Sequence, residues 1–540
     1  NPNAALLYPT NLLSCVVSPV SAFNIHYIGH ALWALIGARV LARRLGLPEG
    51  PAFLSGVAYA FSGMMLSYVS AFWNAGASAS WLPWASAAAV DLARSPTVRE
   101  AIRPATAFGI ALALQALAGE PALSLLTLLF AGVLGVMEAT EAAEQRGRAT
   151  LRFAAGSAAS GLFAALLAAP LLSPLLEIVR STKRGQRDFS LKEFGSAELA
   201  PWRLFEWILP RFDGDPGALA EGAHWQYALH KGELVYIWCV TLGVLPLFLL
   251  LAGAVSRGFW KRRPIVLGAT AAVSLLLAFG NRLPLYRALY EIEILRRLRY
   301  PIKFYLVTTL AAALLAGFAA QRLAESRLSR RCAAVLGGGG ILLLGLYVFA
   351  APAGPVSNMI APHLKGLAMA PSDILAGILP VIRSDALLGI AALALLILTL
   401  MLQASSLRKT YLLGFATLVM ALPWALPLFV AADEEDVSAP PAIRAAMVGP
   451  GRLWVSPEIP EFNVLETGTR HPEMEPRFPR LARILIEELV PATGAAFGVR
   501  YFFDEDPDGS YAYAHLLAQE LFIASSAEQK ARILEAYGTR

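Results

Sequence analysis

Clusters of arginine alternate with long apolar runs along most of this chain, and this alternation constrains the fold more than any other feature. The hydrophobic sequence between one cluster and the next is long enough for about two transmembrane helices. This is the positive-inside pattern of a protein that crosses a membrane many times. We therefore expect the clusters at the cytoplasmic surface and the first residue outside. The clusters are Arg43 and Arg44; Arg94, Arg99 and Arg103; Arg146, Arg148 and Arg152; Arg257, Lys261, Arg262 and Arg263; Arg322, Arg327, Arg330 and Arg331; and Arg408 and Lys409.

The composition agrees with a membrane protein. Hydrophobic residues make up 56% of the chain and charged residues 16%, against roughly 45–50% and about 25% in soluble domains. The net charge of +6 reflects the cytoplasmic arginines, so it does not indicate a nucleic-acid partner. Cys15, Cys239 and Cys332 lie far apart in or beside apolar runs, and they predict neither a disulfide framework nor a metal cluster.

The apolar runs predict an all-α polytopic membrane protein with about 12 transmembrane helices and a small α/β domain. The transmembrane domain covers residues 1–431, with outer loops near 173–233, 280–300 and 353–385, and residues 432–540 form an extracytoplasmic α/β domain, incomplete at its C-terminus. An outside N-terminus without a signal peptide predicts that an upstream transmembrane helix is missing. The spans are predicted near residues 19–40, 51–70, 77–92, 105–118, 122–137, 153–172, 234–255, 264–279, 301–320, 333–351, 386–402 and 411–430.

Two basic clusters fall on the predicted outer side, against the usual bias. The first contains Arg180, Lys183, Arg184 and Arg187, and the second contains Arg296, Arg297, Arg299 and Lys303. An anionic partner at headgroup depth, such as a lipid-linked phosphate, explains cations there, because arginine binds phosphate in a bidentate manner. Two alternatives remain open for the second cluster: interfacial snorkelling, and pairing with Glu291 and Glu293.

Three further features are candidates for chemistry. Glu120 lies at an outer tip between two apolar runs, where its carboxylate suits a general base, a metal ligand, a sugar-hydroxyl acceptor or a solvated hairpin residue. His26 and His30 share one helix face at a spacing that suits a metal, but no third ligand is evident, and we favour polar cavity lining. Asp213 and Asp215 in Phe-Asp-Gly-Asp-Pro-Gly predict a turn.

An ordered set of short motifs resembles the bacterial YfhO-type membrane proteins of the GT-C glycosyltransferase superfamily. The motifs are Pro2-Asn3, Leu7-Tyr8-Pro9, Ala-Tyr-Ala-Phe-Ser-Gly at 58–63, Trp-Leu-Pro-Trp at 81–84, Gly-Glu-Pro at 119–121, Gly-Glu-Leu-Val-Tyr at 232–236, Phe-Gly-Asn-Arg-Leu-Pro-Leu-Tyr at 279–286 and Arg-Tyr-Pro-Ile-Lys at 299–303. The last motif resembles the family's R-x-P-x-[RK] sequence at the start of a helix.

The resemblance implies an inverting membrane glycosyltransferase of the bacterial plasma membrane. It implies transfer of a sugar from a polyprenyl-phosphate donor to an envelope glycan or polymer acceptor outside the cytoplasm. Arg296, Arg297, Arg299 and Lys303 would bind the donor phosphate, and His26, His30, Arg180 and Arg184 would line the cavity. The family's acidic base lies in a loop that would precede Asn1, so the catalytic base stays unassigned and Glu120 is a weak candidate. Relatives often carry histidine where this chain has Glu120.

Two other classes of protein compete with this interpretation. A polyprenyl-linked glycan flippase or other secondary transporter would show broken or charged helices at mid-bilayer and internal repeats. A non-catalytic envelope scaffold would need only an anchor and the outer domain. The chain has no P-loop, no dinucleotide-binding G-x-G-x-x-G and no G-x-S-x-G. No cofactor is predicted, a divalent metal stays open, and membrane lipid is the expected surrounding partner.

Overall fold

The computed structural model describes residues 5, 7–141, 146–179, 189–214, 225–230, 235–296, 299–326, 328–367 and 369–428, with the isolated residues 522, 526, 528–530 and 532. These residues are mostly helical and include no strand. The longer helices are α1 (Pro19–Arg44), α2 (Glu49–Ala60), α3 (Gly63–Ala71), α4 (Trp73–Arg94), α5 (Val98–Leu117), α6 (Pro121–Ala139), α7 (Arg146–Leu167), α8 (Ala169–Val179), α9 (Val244–Ala254), α10 (Arg262–Ala278), α11 (Tyr305–Glu325), α12 (Arg330–Phe349), α13 (Pro371–Met401) and α14 (Ser406–Ala425).

Short helices fill the connections between these elements. The α-helical ones are Leu191–Phe194, Trp225–Leu229, Pro284–Tyr290 and Pro355–Ile360. The 3₁₀ turns are Pro9–Cys15, Pro201–Trp207, Gly280–Arg282, Glu293–Leu295, Pro301–Phe304, Ala361–Leu364 and Leu426–Leu428. The predicted α/β domain at 432–540 lies outside the described residues, apart from the six isolated positions.

Six described helices are long and apolar enough to cross a membrane, and the bent pair α2–α3 raises the number to seven if it forms one span. The prediction of a helical multi-pass membrane protein is confirmed, whereas the predicted number of about 12 spans is not. Helices α4, α5, α10 and α14 lie where spans were predicted and do not pass the same test of length and hydropathy.

The helices form two groups joined by α2. In the first group α4 lies at the centre and contacts α1, α5 and α6. In the second group α11 lies at the centre, contacts α9 and α10, and has 89% of its most apolar window buried inside the protein. Because α2 contacts both α1 and α11, α11 is held against the first group.

The bend between α2 and α3 comes from the motif at residues 58–63. The two helices meet at 53°. Ser62 caps α3 by accepting a hydrogen bond from the Met65 amide, and the Gly63 amide donates to the Thr241 carbonyl. A Cβ atom at Gly63 would lie 2.6 Å from the Cys239 carbonyl oxygen, so only glycine permits this close approach.

Residues 235–243 differ from the prediction. A span was predicted at 234–255, but the structure has a non-helical stretch followed by an eleven-residue helix, α9. The change occurs at Gly243, whose φ of +93° ends the non-helical stretch, and Pro246 lies in the first turn of α9. Non-helical backbone away from water needs other hydrogen-bond partners, and side chains supply them here.

A buried charge network provides several of those partners. Arg203 donates to Glu206 at 2.6 Å and forms an ion pair with Asp213 at 3.1 Å. Glu206 accepts from the Val240 amide at 2.7 Å, and Tyr305 donates to the Val240 carbonyl at 2.6 Å. The network therefore connects the segment after α8 to the non-helical stretch 235–243 and to the start of α11.

Asp213 lies in the predicted turn, and its carboxylate is buried within this network. It accepts hydrogen bonds from His230 at 2.8 Å and from Gln226 at 3.1 Å. Burial opposes ionisation, but the Arg203 charge and the hydrogen bonds from His230 and Gln226 outweigh it and lower the pKa of Asp213 to about 2. The carboxylate is therefore charged at neutral pH and holds the Arg203 guanidinium in place.

The predicted outer loop at 353–385 also differs from the structure. Residues 371–385 form the first half of α13, a 31-residue helix that continues past Pro380. Asp385 misled the prediction because a charged residue usually marks the end of a span. In the fold Asp385 is buried, and its carboxylate accepts hydrogen bonds from the Arg211 amide at 2.8 Å and guanidinium at 2.6 Å.

We predict that Arg203→Met lowers the free energy of unfolding by about 3–5 kcal/mol, because it leaves two buried carboxylates without their cation. Thermal unfolding in detergent measures the change. The matched control is Arg282→Met, which breaks an ion pair with Glu198 in which the Arg282 side chain is 42% exposed. An exposed pair of this kind contributes less than about 1 kcal/mol. Equal, small losses in both variants would show that the network does not hold the fold.

Candidate functional site

An ion pair between Lys303 and Glu120 forms the centre of the candidate site. The Lys303 Nζ atom lies 2.8 Å from Glu120 Oε2, and the two side chains are only 9% and 12% exposed. Glu120 is the N-cap residue of α6, after a turn at Gly119 with φ of +86°. Lys303 lies in the 3₁₀ turn Pro301–Phe304 that leads into α11. Glu120 and Lys303 are 183 residues apart in the sequence, and their contact brings the Gly-Glu-Pro and Arg-Tyr-Pro-Ile-Lys motifs together.

Tyr300 shapes the surroundings of Lys303. Its φ of +67° is in the left-handed region, which is uncommon for a bulky residue and marks a site worth examining for function. The Tyr300 ring stacks on the Tyr236 ring at 4.7 Å and 18°. The Lys303 Nζ atom lies 5.3 Å from the Tyr300 centroid and 5.5 Å from the Tyr236 centroid. Both distances are within the range of cation–π attraction.

Arg299 also lies against the Tyr300 ring. Its guanidinium carbon lies 4.6 Å from the Tyr300 centroid and 5.0 Å from the Phe189 centroid, and its Nη2 donates to the Tyr300 hydroxyl. Its Nε atom is buried and has no hydrogen-bond partner among the described residues. A buried donor without a partner is costly unless a ligand or water satisfies it.

A second polar group without a partner lies nearby on α3. The Tyr68 hydroxyl is buried, has no hydrogen-bond partner among the described residues, and is close enough to Glu120 to interact with its charge. The Tyr68 ring packs edge-on against Tyr236 at 6.3 Å. Tyr68, Tyr236, Tyr300, Arg299, Lys303 and Glu120 are called the cation–tyrosine site below.

Two helix N-termini meet at the cation–tyrosine site. Glu120 is the N-cap of α6, and Pro301 begins the turn that leads into α11. A helix N-terminus carries a partial positive charge, which favours anions. Together with Lys303 and Arg299, these termini give the site a positive character that Glu120 only partly neutralises.

The motif at residues 279–286 supports the site from behind. Gly280 has a φ of +57°, and a Cβ atom there would lie 2.8 Å from Pro301 Cγ. The Tyr286 hydroxyl donates to the Phe194 carbonyl at 3.0 Å, and Asn281 Nδ2 donates to the Leu191 carbonyl at 2.6 Å. These contacts fix the backbone that places Pro301 and the residues around it.

The other predicted cations have different positions. Arg296 donates to the Tyr290 carbonyl at 2.8 Å and lies over the Tyr290 ring at 5.4 Å, close to the site in sequence but engaged elsewhere. Arg297, Arg180 and Arg184 lie outside the described residues. The phosphate-binding role predicted for the whole cluster therefore stays a prediction, with Arg299 and Lys303 as the members whose surroundings are described.

His26 and His30 lie in a hydrogen-bonded contact between α1 and the segment before it. His30 Nε2 is 2.7 Å from the Tyr8 hydroxyl, and its Nδ1 is 2.6 Å from the His26 carbonyl. His26 Nδ1 is 2.6 Å from Thr10 Oγ1, and its Nε2 is 3.0 Å from the Trp73 carbonyl. All four ring nitrogens thus have protein partners, so these residues attach the Leu7-Tyr8-Pro9 segment to α1.

Among the described residues, no group of three or more His, Cys, Asp and Glu side chains could hold a metal ion. The sequence also did not identify Tyr68, Tyr236 and Tyr300 as site residues. Tyr236 ends one motif and Tyr300 lies inside another, so the motifs themselves were the available signal. Tyr68 had no such signal, because a tyrosine in an apolar helix is usually a core residue.

No protein-family model matches this chain, and no curated protein matches it. Similar solved structures include ArnT from Cupriavidus metallidurans bound to undecaprenyl phosphate, with a TM-score of 0.41 and 16% identity over 81% of this chain and 68% of ArnT. ArnT from the same organism in the apo state has a TM-score of 0.40 and 15% sequence identity, over 80% of this chain and 67% of ArnT. The arabinofuranosyltransferase AftD from Mycobacteria has a TM-score of 0.38 and 15% sequence identity, over 81% of this chain but only 23% of AftD. Similarities at this level establish neither a common fold nor a common function.

We predict that the Glu120–Lys303 pair shows strong coupling in a double-mutant cycle. Glu120→Gln and Lys303→Met should each lower the unfolding temperature, because each leaves a nearly buried charge unpaired. The double variant should recover part of the loss, with a coupling energy of about 1–3 kcal/mol.

The matched control for this cycle is the pair of Arg44 and Asp91, whose side chains are 47% and 37% exposed. Its coupling should stay below about 1 kcal/mol. If the losses from Glu120→Gln and Lys303→Met simply add, the two side chains do not stabilise each other.

Proposed function

We propose that this chain acts as a membrane glycosyltransferase of the GT-C type, and that it is related to the YfhO-type proteins, whose motifs it resembles. It moves a sugar from a polyprenyl-phosphate donor to an extracytoplasmic envelope glycan or polymer acceptor. It lies in the bacterial plasma membrane, with the cation–tyrosine site and residues 432–540 on the outer side. The observation that carries the proposal is the nearly buried Lys303 ammonium, flanked by tyrosine rings and next to Arg299 with its unpartnered Nε.

The donor phosphate binds Lys303 and Arg299 in this proposal. Lys303 supplies a point charge, and Arg299 supplies planar donors, one of which has no protein partner. Tyr236 and Tyr300 keep water from the Lys303 ammonium and so strengthen its interaction with an anion. The position at the start of α11, a long buried helix, suits a ligand whose phosphate sits at headgroup depth while its polyprenyl chain stays in the bilayer.

Glu120 holds Lys303 when no donor is bound. The phosphate then competes with the Glu120 carboxylate for the same ammonium, because the two anions need the same Lys303 donors. Once released, Glu120 lies within a few ångströms of the bound phosphate, where it can accept the proton of an acceptor hydroxyl. The resemblance to the YfhO-type family implies that the catalytic base is another residue, so substitution of Glu120 is needed to decide whether it acts as the base or only as the partner of Lys303.

The transfer step follows from these positions. The acceptor hydroxyl attacks the anomeric carbon of the sugar, the bond from that carbon to the phosphate oxygen breaks, and a carboxylate takes the hydroxyl proton. Negative charge grows on the departing polyprenyl phosphate, where Lys303 and Arg299 stabilise it more strongly than in the ground state.

A flippase or secondary transporter of polyprenyl-linked glycans is the second candidate function. The bent pair α2–α3 and the non-helical stretch 235–243 are broken elements of the kind that line transport pathways. Both also lie beside the cation–tyrosine site, through Tyr68 and Tyr236. The two functions differ in their product: a transferase leaves the sugar on an acceptor, whereas a transporter moves the intact lipid across the bilayer.

We predict that Lys303→Met weakens the binding of a polyprenyl phosphate about 10- to 100-fold, since a charge-assisted contact is lost. Arg299→Ala should weaken it to a similar degree, and Arg299→Lys should restore only part, because an ammonium lacks the planar fork. In an enzyme that turns over, Arg299→Ala should reduce the rate about 10²–10³-fold. Binding to the purified protein in nanodiscs measures the first effect, and sugar transfer per folded molecule measures the second.

Glu120→Gln and Arg408→Ala complete the experiment. Glu120→Gln removes the competing carboxylate, so polyprenyl phosphate should bind at least as tightly as in the unmodified protein. Arg408→Ala, an exposed residue at the start of α14, should change neither binding nor rate. Unchanged binding of polyprenyl phosphate in both Lys303→Met and Arg299→Ala would show that the phosphate does not bind at this site.

A further inference from the structure

A second cationic feature lies at the far end of α11, where the proposed function assigns no role. A cleft of about 340 Å³ opens between the loop after α9, the end of α11 and the start of α12. Arg322 is seventeen residues after Tyr305 in α11, which places the cleft roughly 25 Å from the cation–tyrosine site at 1.5 Å per residue. The cleft therefore lies at the opposite end of the bundle.

Four of the residues that line the cleft are arginines and none is acidic. They are Arg257, Arg322, Arg330 and Arg331, and the name arginine cleft refers to these four residues below. Glu325 follows Arg322 by three residues, but its carboxylate accepts a hydrogen bond from Gln321 and does not line the cleft. Four like charges around one concave surface repel one another, so an anion bound there would relieve a repulsion that the described residues leave uncompensated.

One arginine of the cleft is held by hydrogen bonds, and the other three have guanidinium groups that are open to a ligand. Arg322 is half-buried, and its Nε and Nη2 donate to the Arg257 carbonyl at 3.1 and 2.9 Å, which fixes the loop after α9. The Arg257, Arg330 and Arg331 side chains are exposed, and none of them forms a hydrogen bond or ion pair with another described residue. Their guanidinium groups are therefore available to a ligand in the cleft.

The flanks of the cleft indicate that it lies at the depth of lipid headgroups. Trp260, three residues after Arg257, is 48% exposed, and its indole donates to the Ala254 carbonyl at 2.9 Å. Leu328, just before α12, is 40% exposed. An exposed tryptophan with a tethered N–H is typical of the interface between membrane and water, and an exposed leucine faces acyl chains more readily than water.

We propose that the arginine cleft binds the headgroup of an anionic phospholipid that carries about two negative charges. Arginine binds phosphate oxygens through paired N–H donors, and basic pockets between transmembrane helices bind such headgroups. A headgroup with a single charge would leave most of the four arginines uncompensated. The ligand class is thus a phosphomonoester or doubly charged phospholipid of the membrane leaflet opposite the cation–tyrosine site.

Binding of soluble short-chain lipids to the purified 540-residue protein in detergent tests the proposal. Dioctanoyl phosphatidic acid should bind more tightly than dioctanoyl phosphatidylglycerol, and dioctanoyl phosphatidylcholine should bind least. Inorganic phosphate, which has the same charge without acyl chains, should bind at least about 10-fold more weakly than phosphatidic acid. Inorganic phosphate that binds as tightly as phosphatidic acid, and displaces it, would assign the cleft to a free anion and overturn the lipid proposal.

The test variant replaces the three free cations: Arg257→Gln, Arg330→Gln and Arg331→Gln together. Each basic residue near an anionic headgroup strengthens binding about five-fold, so the triple variant should bind phosphatidic acid about 100-fold more weakly. Arg322 stays in place, so its hydrogen bonds to the loop, and with them the melting temperature, should be preserved.

The matched control removes the same charge from arginines elsewhere on the surface: Arg99→Gln, Arg103→Gln and Arg408→Gln. These three side chains are exposed, form no hydrogen bond or ion pair with other described residues and do not line the cleft. The control should bind phosphatidic acid within about 3-fold of the unmodified protein, since only the overall charge changes. Equal losses in the two triple variants would show that the attraction comes from net charge alone. Lys303 is present in both triple variants, so any phosphatidic acid that binds at the cation–tyrosine site contributes equally to the two measurements.

Discussion

The need to satisfy backbone groups away from water is the constraint on which the rest of the structure depends. Residues 235–243 run through the protein without forming a helix, so their amides and carbonyls need other partners. Glu206, itself paired with Arg203, accepts from the Val240 amide, and the Gly63 amide donates to the Thr241 carbonyl. This arrangement places Tyr236 beside the start of α11, and the cation–tyrosine site therefore depends on a charge network that does not touch Lys303.

The electrostatics of the site centre on the ion pair between Lys303 and Glu120. Lys303 is nearly buried and would be costly to keep charged without a partner, and Glu120 provides that partner in the structure. In the proposed function a ligand phosphate replaces this carboxylate, and the cost is small because the ammonium is already desolvated and lies beside the stacked rings of Tyr236 and Tyr300. Arg299, which carries an unpartnered Nε, adds donors that Glu120 does not use.

The sequence predicted the long uniform helices well and the irregular elements poorly. α1 and α6 follow from apolar runs that begin at proline, and α12 follows from an apolar run that begins after a pair of arginines. The predicted span at 234–255 was wrong because hydropathy does not distinguish a buried non-helical segment from a helix. Glu120 and Lys303 were both identified as candidates, but their pairing depends on the contact between α6 and the turn before α11, which no local pattern encodes.

Photo-crosslinking tests the central claim, that a lipid-linked phosphate binds beside Lys303, most directly. A polyprenyl phosphate with a photoreactive group next to the phosphate is irradiated with the protein, and modified peptides are identified by mass spectrometry. The account predicts adducts on peptides that contain Tyr236 or Tyr300, lost in Lys303→Met and displaced by unlabelled polyprenyl phosphate. Adducts confined to the arginine cleft, or adducts near Tyr236 that Lys303→Met leaves unchanged, would contradict it.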